Sequence, residues 1–540
     1  MRSFTLSLMA LCLSAALPAA ASPQHPAAMT LSLERIGGHD GGMPGAAEIT
    51  AFDAGSKRLF VVNGVNGTVD VLDLADPTAP VLVQTLSAEA LGAGVNSVAV
   101  HDGLVALAVQ AHVKTDPGVV ALYRAADLQL LEWLPVGALP DMLAFTPDGR
   151  HLLVANEGEP NSYGQPDSVD PEGSVSVIHI RRNGPSVVKT ADFRAFNGQE
   201  PALRADGIRL FGPGASAAQD FEPEYITVAP DGRTAYVTLQ ENNAVATVDI
   251  RRARITAVKP LGFKDHSVAG FGLDPSDEDA GIDTNSGTPA VKIVPYPVRG
   301  LYLPDAIASY RAGGTTYLVT ANEGDARADW PGFNEETRVR SHCSAGLDPA
   351  VFGPDAARLL FDSNLGRLRI TSAPNGGSEG KNAAGQCDAL YSFGARSFSI
   401  WTTDLQRVYD SGDEFEQRTA SLPNVKFNAS HDNDTLDGRS ASKGPEPEGV
   451  VLGRFGARTF AFIGLERVGG VMVYDVTDPH APTFAAYENT RDGVTGDRGP
   501  EGLLLIPAKD SPNGKPLLVV GHEVSGTTAI YQIKLGRAGG

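Results

Sequence analysis

Eleven carboxylates stand at two recurring positions of a repeated hairpin, and their spacing marks where chemistry would reside. Glu48, Asp141, Glu224, Asp305, Glu448 and Glu501 each open an apolar run, with Asn96 in the equivalent place of one repeat. Glu157, Glu241, Glu323, Glu466 and Glu523 each follow the return run after a turn, where Asn63 and Gln110 stand in the other two repeats. In an antiparallel hairpin the start of one strand lies beside the end of the next, so both sets are expected at one end of the fold. Like charges so confined raise one another's pKa unless a cation neutralises them. Carboxylates and amides without a recurring His or Cys suit a hard ion. Ca²⁺ is therefore the expected cofactor, with another divalent or a ferric ion as the alternative. The competing reading is structural, with the acids accepting hydrogen bonds from backbone N–H groups of neighbouring loops.

Cations occupy the same stretches. Arg327 follows Glu323 and Asp325, Arg396 opens RSFSIW, Arg439 and Lys443 precede Glu446 and Glu448, and Arg467 follows Glu466. Beside a bound metal, Arg327, Arg439 and Arg467 would clamp a phosphate, with Asp325 as a further carboxylate; the alternative is a set of ion pairs between adjacent residues. Asp274, Asp277, Asp279 and Asp283 crowd LDPSDEDAGID, and Asp432, Asp434 and Asp437 crowd HDNDTLD. Neither loop has the bidentate Glu of an EF-hand, so each reads equally as a Ca²⁺ loop or a solvated acidic turn. The chain has no G-x-S-x-G, P-loop or H-E-x-x-H, and its 11 His are scattered singly, so any chemistry is expected to be metal-assisted.

The elements that must position these residues are short strands. EITAF and LFVVN turn at Ala54-Gly55, and runs at 69–74 and 81–86 follow, which makes four strands in a row, the size of a propeller blade. Further hairpins open at Asn96, Asp141, Glu224, Asp305, Glu448 and Glu501, several turning on Pro147-Asp148-Gly149, Pro230-Asp231-Gly232 or Gly313-Gly314. The pattern predicts an all-β fold, a seven-bladed β-propeller. A spare strand at 31–36 is expected beside 529–535, closing the ring. Long inserts are expected after Glu157, Glu241 and above all Glu323, where the largest covers about 325–395, all on one face.

Composition bounds the partners. A net charge of −20 argues against nucleic acid and anionic membrane. Residues 1–21 read as an export signal, with a basic start at Arg2, an apolar run and Ala19-Ala20-Ala21 before the expected cleavage. Residues 22–540 are expected to form one domain, secreted or periplasmic and monomeric, without a transmembrane segment. Cys343 and Cys387 then remain as the cysteines of an exported chain, and a disulfide between them is predicted.

LVTANEGDAR, RSFSIW, KGPEPEGV, FAFIGLERVGGVMVYDVTDP and GPEGLLLIPAKDSPNGKPLLVVGHEVSGTTAIYQI together resemble the choice-of-anchor I family. That group of secreted propellers is similar to a mesenchyme-specific cell surface glycoprotein, and some of its members are described as alkaline-phosphatase-like. The resemblance implies an extracellular propeller and, for some members, hydrolysis of phosphoesters. His522 departs from the repeated Ala-Asn-Glu, and surface attachment through a sorting segment after Leu535 is not expected. Two functions are therefore expected: a metal-dependent phosphoesterase acting on a small phosphorylated substrate, or a non-catalytic calcium-binding protein contacting an extracellular matrix ligand or mineral.

Overall fold

The computed structural model describes residues 29–181, 183–375 and 378–537, so the expected signal at 1–21 lies outside the described residues. Among them are seven four-stranded sheets. The first contains Thr50–Asp53, Arg58–Asn63, Thr68–Asp73 and Val81–Ser87 in chain order, all antiparallel. Five more sheets follow, opening with Gly94–His101, Pro140–Phe145, Pro223–Val228, Ile307–Ala312 and Pro447–Phe455. The seventh joins Pro500–Ile506, Leu517–His522 and Thr527–Arg537 to Met29–Asp40, whose Leu31 pairs with Leu535 and Leu33 with Ile533.

Side chains explain the stacking. Along Arg58–Asn63, Phe60 and Val62 pack on Val98, Leu107 and Val109 of the second sheet, whereas Leu59 and Val61 pack on Leu517, Val519 and Ile530 of the seventh. Alternate residues thus serve opposite faces, and because both faces are buried the strand reads as an unbroken apolar run. Each sheet shares such a core with the next, and the sixth with the seventh through Phe462, Val473, Leu518 and Val520. Each fully buried Val, Leu or Phe contributes about 1.5–3 kcal/mol. This is a propeller-like all-β arrangement. The hairpins away from the acids are tight: Gly149 (φ 63°) and Gly232 (φ 66°) take left-handed backbone, and Asp231 accepts from Arg233 N at 2.9 Å.

The inserts require a correction. No long insert follows Glu241: Ala244–Asp249 starts three residues later and pairs with Arg254–Pro260, and the insert begins at residue 261. The β-branched runs AVATVDI and RITAVKP hold the blade-like unit together there. Because the strands alternate in direction, the end of a fourth strand and the start of the next first strand lie at the same end as the acids. Insertion after residue 260 therefore emerges on that same side.

The insert after Glu323 separates Thr315–Ala321 from Phe398–Thr402. It contributes Glu336–Arg338, Arg369–Thr371 and Tyr391–Ser392 to a five-stranded sheet with Phe263–Asp265 and Arg299–Leu301. Its core includes Leu273, Val298, Val339 and Leu347 around the predicted disulfide Cys343–Cys387, which spans 44 residues. Closing a loop of that length stabilises by about 4 kcal/mol in the chain-entropy account.

Candidate metal centre

A local device aims the first set of acids. Proline precedes Asp141, Glu224, Asp305, Glu448 and Glu501. Pairing to the second strand skips from Pro140 to Leu143, Pro223 to Ile226, Pro447 to Val450 and Pro500 to Leu503, so four of these acids sit inside a bulge. Asn96 occupies the matching bulge between Val95 and Ser97. Proline offers no ladder N–H, and the bulge releases the acid from strand pairing. Leu139 (φ 47°), Leu303 (φ 41°) and Glu446 (φ 51°), each just before such a proline, hold left-handed backbone at about 1–3 kcal/mol apiece. The Pro-acid pair was visible in the sequence and is the signal that the hairpin pattern alone missed.

Glu48, Asn96, Asp141, Tyr225, Asp305 and Glu501 line one cavity of about 410 Å³. The fit at Glu48 is close: a Cβ on Gly64 would stand 1.9 Å from its Oε1. All eleven acids belong to one network of mutual repulsion. Burial, then the charges of Glu523 and Asp141, push Glu48 up to about 7. Burial and Glu159 push Asp141 up to about 7, and burial raises Glu241 to about 7 against the opposing pull of Arg327. Burial and neighbouring carboxylates hold Glu157, Glu224, Asp305, Glu448 and Glu501 well above the usual range. Glu466 is raised likewise by burial and Glu446, and Glu323 by burial against Lys443. Glu224 Oε2, Glu448 Oε2 and Glu501 Oε2 are buried without a hydrogen-bond partner. Oxygen donors left in that state fit a hard divalent cation.

The second set shows how the protein compensates part of this charge. Lys443 Nζ reaches Glu323 Oε1 at 2.8 Å and Asp325 Oδ1 at 3.2 Å, and Gln240 donates to Glu323 Oε2 at 2.8 Å. One carboxylate oxygen each from Glu323, Glu446 and Glu466 lies within 4.8 Å of the other two. Arg439 and Arg467 both grip Glu446, and Arg467 also meets Glu466 at 3.1 Å. His431 Nδ1 stands 3.3 Å from Glu466 Oε1, with burial holding its pKa down at about 4. The involvement of His431, Gln240 and Glu159 was not read from the sequence, since each comes from an insert or lies outside the repeated positions.

Three expected phosphate contacts are otherwise engaged. Arg327 is buried against Asp220 and Glu222, its guanidinium 4.7 Å from the Phe211 ring centroid. Its acidic partners lie more than 100 residues upstream, beyond what local spacing reveals. Arg439 and Arg467 serve Glu446, each about one-fifth exposed. Asp274, Asp277 and Asp279 do not join the cavity: Asp277 pairs with Arg367 at 2.5 Å, while Asp274 and Asp279 meet Asp437. Asp434 pairs with Arg491 at 3.1 Å.

Among relatives, residues of this chain are 32% identical over 195 residues to Gigasin-3a of Magallana gigas, covering 33% of this chain and 67% of that protein. They are 26% identical over 399 residues to the mesenchyme-specific cell surface glycoprotein of Strongylocentrotus purpuratus, covering 64% and 49%. The chain thus spans about half the length of the sea urchin protein. Among solved structures, Kuenenia stuttgartiensis hydrazine synthase superposes with a TM-score of 0.44 at 12% identity, covering 92% of this chain and 96% of that one. The β-propeller domain of Myceliophteria thermophila Cps50 (Swd1) gives 0.41 at 10%, covering 93% and 100%. The model of the choice-of-anchor I domain matches residues 48–479, and the chain belongs to that family.

Proposed function

We propose that the chain is an exported seven-bladed β-propeller, one domain over residues 22–540 closed by its N-terminal strand, which binds Ca²⁺ in an acidic channel mouth. The observation that carries this reading is the set of buried, unpartnered oxygens of Glu224, Glu448 and Glu501 within one repelling network. Acids that merely capped loops would have donors on those atoms. Glu323, Asp305, Glu448 and Glu466 are the principal ligands in this account. The protein's place outside the cell rests on its leader-like first 21 residues and on its likeness to a cell surface glycoprotein. Its partner on this reading is an extracellular ligand. Equilibrium dialysis against ⁴⁵Ca²⁺ tests it: the parent binds calcium, and Glu448→Gln with Glu501→Gln binds at least one equivalent less.

Hydrolysis of a phosphoester at the same mouth is the second reading, favoured by the Lys443 ammonium between Glu323 and Asp325. Calcium bound there would polarise phosphoryl oxygens. Lys443 would neutralise an incoming phosphate, and Asp325, more than half exposed, would hold a proton from water. Release of p-nitrophenol from its phosphate, dependent on Ca²⁺ and lost in Glu323→Gln, supports this reading; calcium binding without turnover leaves the binding protein.

A further inference from the structure

Away from the mouth, the two acidic loops converge. Asp274 and Asp279 come from the segment whose Leu273 bridges Val294, and Asp437 comes from the loop that leads to Lys443. One carboxylate oxygen from each lies within 4.8 Å of the other two, and all three residues are at most 5% exposed. Oxygens around Ca²⁺ at about 2.3–2.6 Å are separated by no more than roughly 5 Å, so these three are close enough to share one coordination sphere.

Their remaining partners do not satisfy them. Asp274 accepts from Lys292 N at 2.6 Å and from Ser276 N at 3.4 Å, Asp279 Oδ1 from Ala290 N at 2.8 Å, and Asp437 Oδ1 from Ser440 Oγ. Asp279 Oδ2 and Asp437 Oδ2 are buried and have no partner. Among the described residues, no Lys, Arg or His forms an ion pair with any of the three, although Asp277 and Glu278 of the same loop share Arg367. Arg396 gives its charge to Glu416 at 2.8 Å and its other N–H groups to the carbonyls of Asp274, Ser440 and Ser442. Three desolvated carboxylates with two orphan oxygens and no counter-cation call for a positive charge between them.

We propose that Asp274, Asp279 and Asp437 form a structural calcium site, distinct from the mouth, that clamps the segment at 273–294 to the loop at 428–442. The clamp extends the backbone tie already made by Arg396, which donates to the carbonyls of Asp274 and Ser440. It also fixes the loop that carries Arg439 and Lys443 to the mouth, so calcium here sets the position of the charges there. Because the site is buried, its ion exchanges slowly.

The test is calcium stoichiometry of the full chain after prolonged dialysis against magnesium, by elemental analysis. The parent is expected to keep one equivalent that Asp437→Asn and Asp279→Asn lack, with affinity in these variants reduced at least tenfold. Glu448→Gln with Glu501→Gln, which perturbs the mouth alone, is expected to keep it. Should the aspartate variants fail to fold, crystals of the parent soaked in TbCl₃ give the answer through an anomalous peak between the three carboxylates. Equal calcium in parent and aspartate variants, or no peak between the three carboxylates, would overturn the proposal and leave three carboxyls sharing protons. Neither result depends on whether the mouth binds calcium.

Discussion

Asp141→Asn separates a ligand from a cap. The carboxyl of Asp141 lines the cavity, accepts no hydrogen bond among the described residues, and is pushed from 3.8 up to about 7 by burial and Glu159. Such a group binds more protons in the folded than in the unfolded chain between those values. Without metal, its contribution to stability is therefore full below pH 3.8 and is lost as pH rises to about 7. The difference amounts to about 4 kcal/mol, or about 2–4 kcal/mol once water in the cavity screens part of the charge. Asparagine keeps the shape and stays neutral. In urea unfolding followed by tryptophan fluorescence in EGTA, the variant should be more stable than the parent by that amount at pH 8. The two should be nearly equal at pH 4. Saturating calcium should abolish or reverse the advantage at pH 8. A variant that is less stable by the same amount at both pH values would refute the reasoning, because it would mean that Asp141 holds a neighbouring loop through bonds.

Lys443→Met removes the ammonium that Glu323 and Asp325 share, and is expected to destabilise the calcium-free protein by about 3–5 kcal/mol while raising calcium affinity, read by unfolding with and without CaCl₂. Arg327→Ala leaves Asp220 and Glu222 buried and uncompensated, so a loss of at least about 3 kcal/mol in unfolding free energy is expected with the calcium count unchanged. Replacing Cys343 and Cys387 by Ser should weaken the insert by about 4 kcal/mol and expose it to limited proteolysis ahead of the sheets.

The repeat was legible because its signals are local. Alternating apolar runs, Pro-Asp-Gly turns and the acid at each end all fall within about twenty residues, and the strands follow them closely: LFVVN lies in Arg58–Asn63, and Leu31 pairs with Leu535 as expected. What sequence spacing missed is long-range pairing. Arg327 meets acids more than 100 residues upstream, and Asp274 meets Asp437 across a comparable stretch of chain, so adjacency revealed neither partner. The insert after Glu241 was misplaced because its acid resembles Glu323, whereas the next strand begins at Ala244. Pro-acid bulges were written in the sequence, but their meaning depends on strand register.

The central claim is that the acids of the mouth hold a cation. Isothermal titration of the EGTA-stripped chain with CaCl₂ at pH 7.5, in parent and in Glu448→Gln with Glu501→Gln, tests it most directly. The account predicts saturable binding in the parent that loses at least one equivalent in the double variant, where two of the unpartnered carboxylate oxygens are gone. Identical isotherms for the two proteins, or no heat of calcium binding in either, would contradict it.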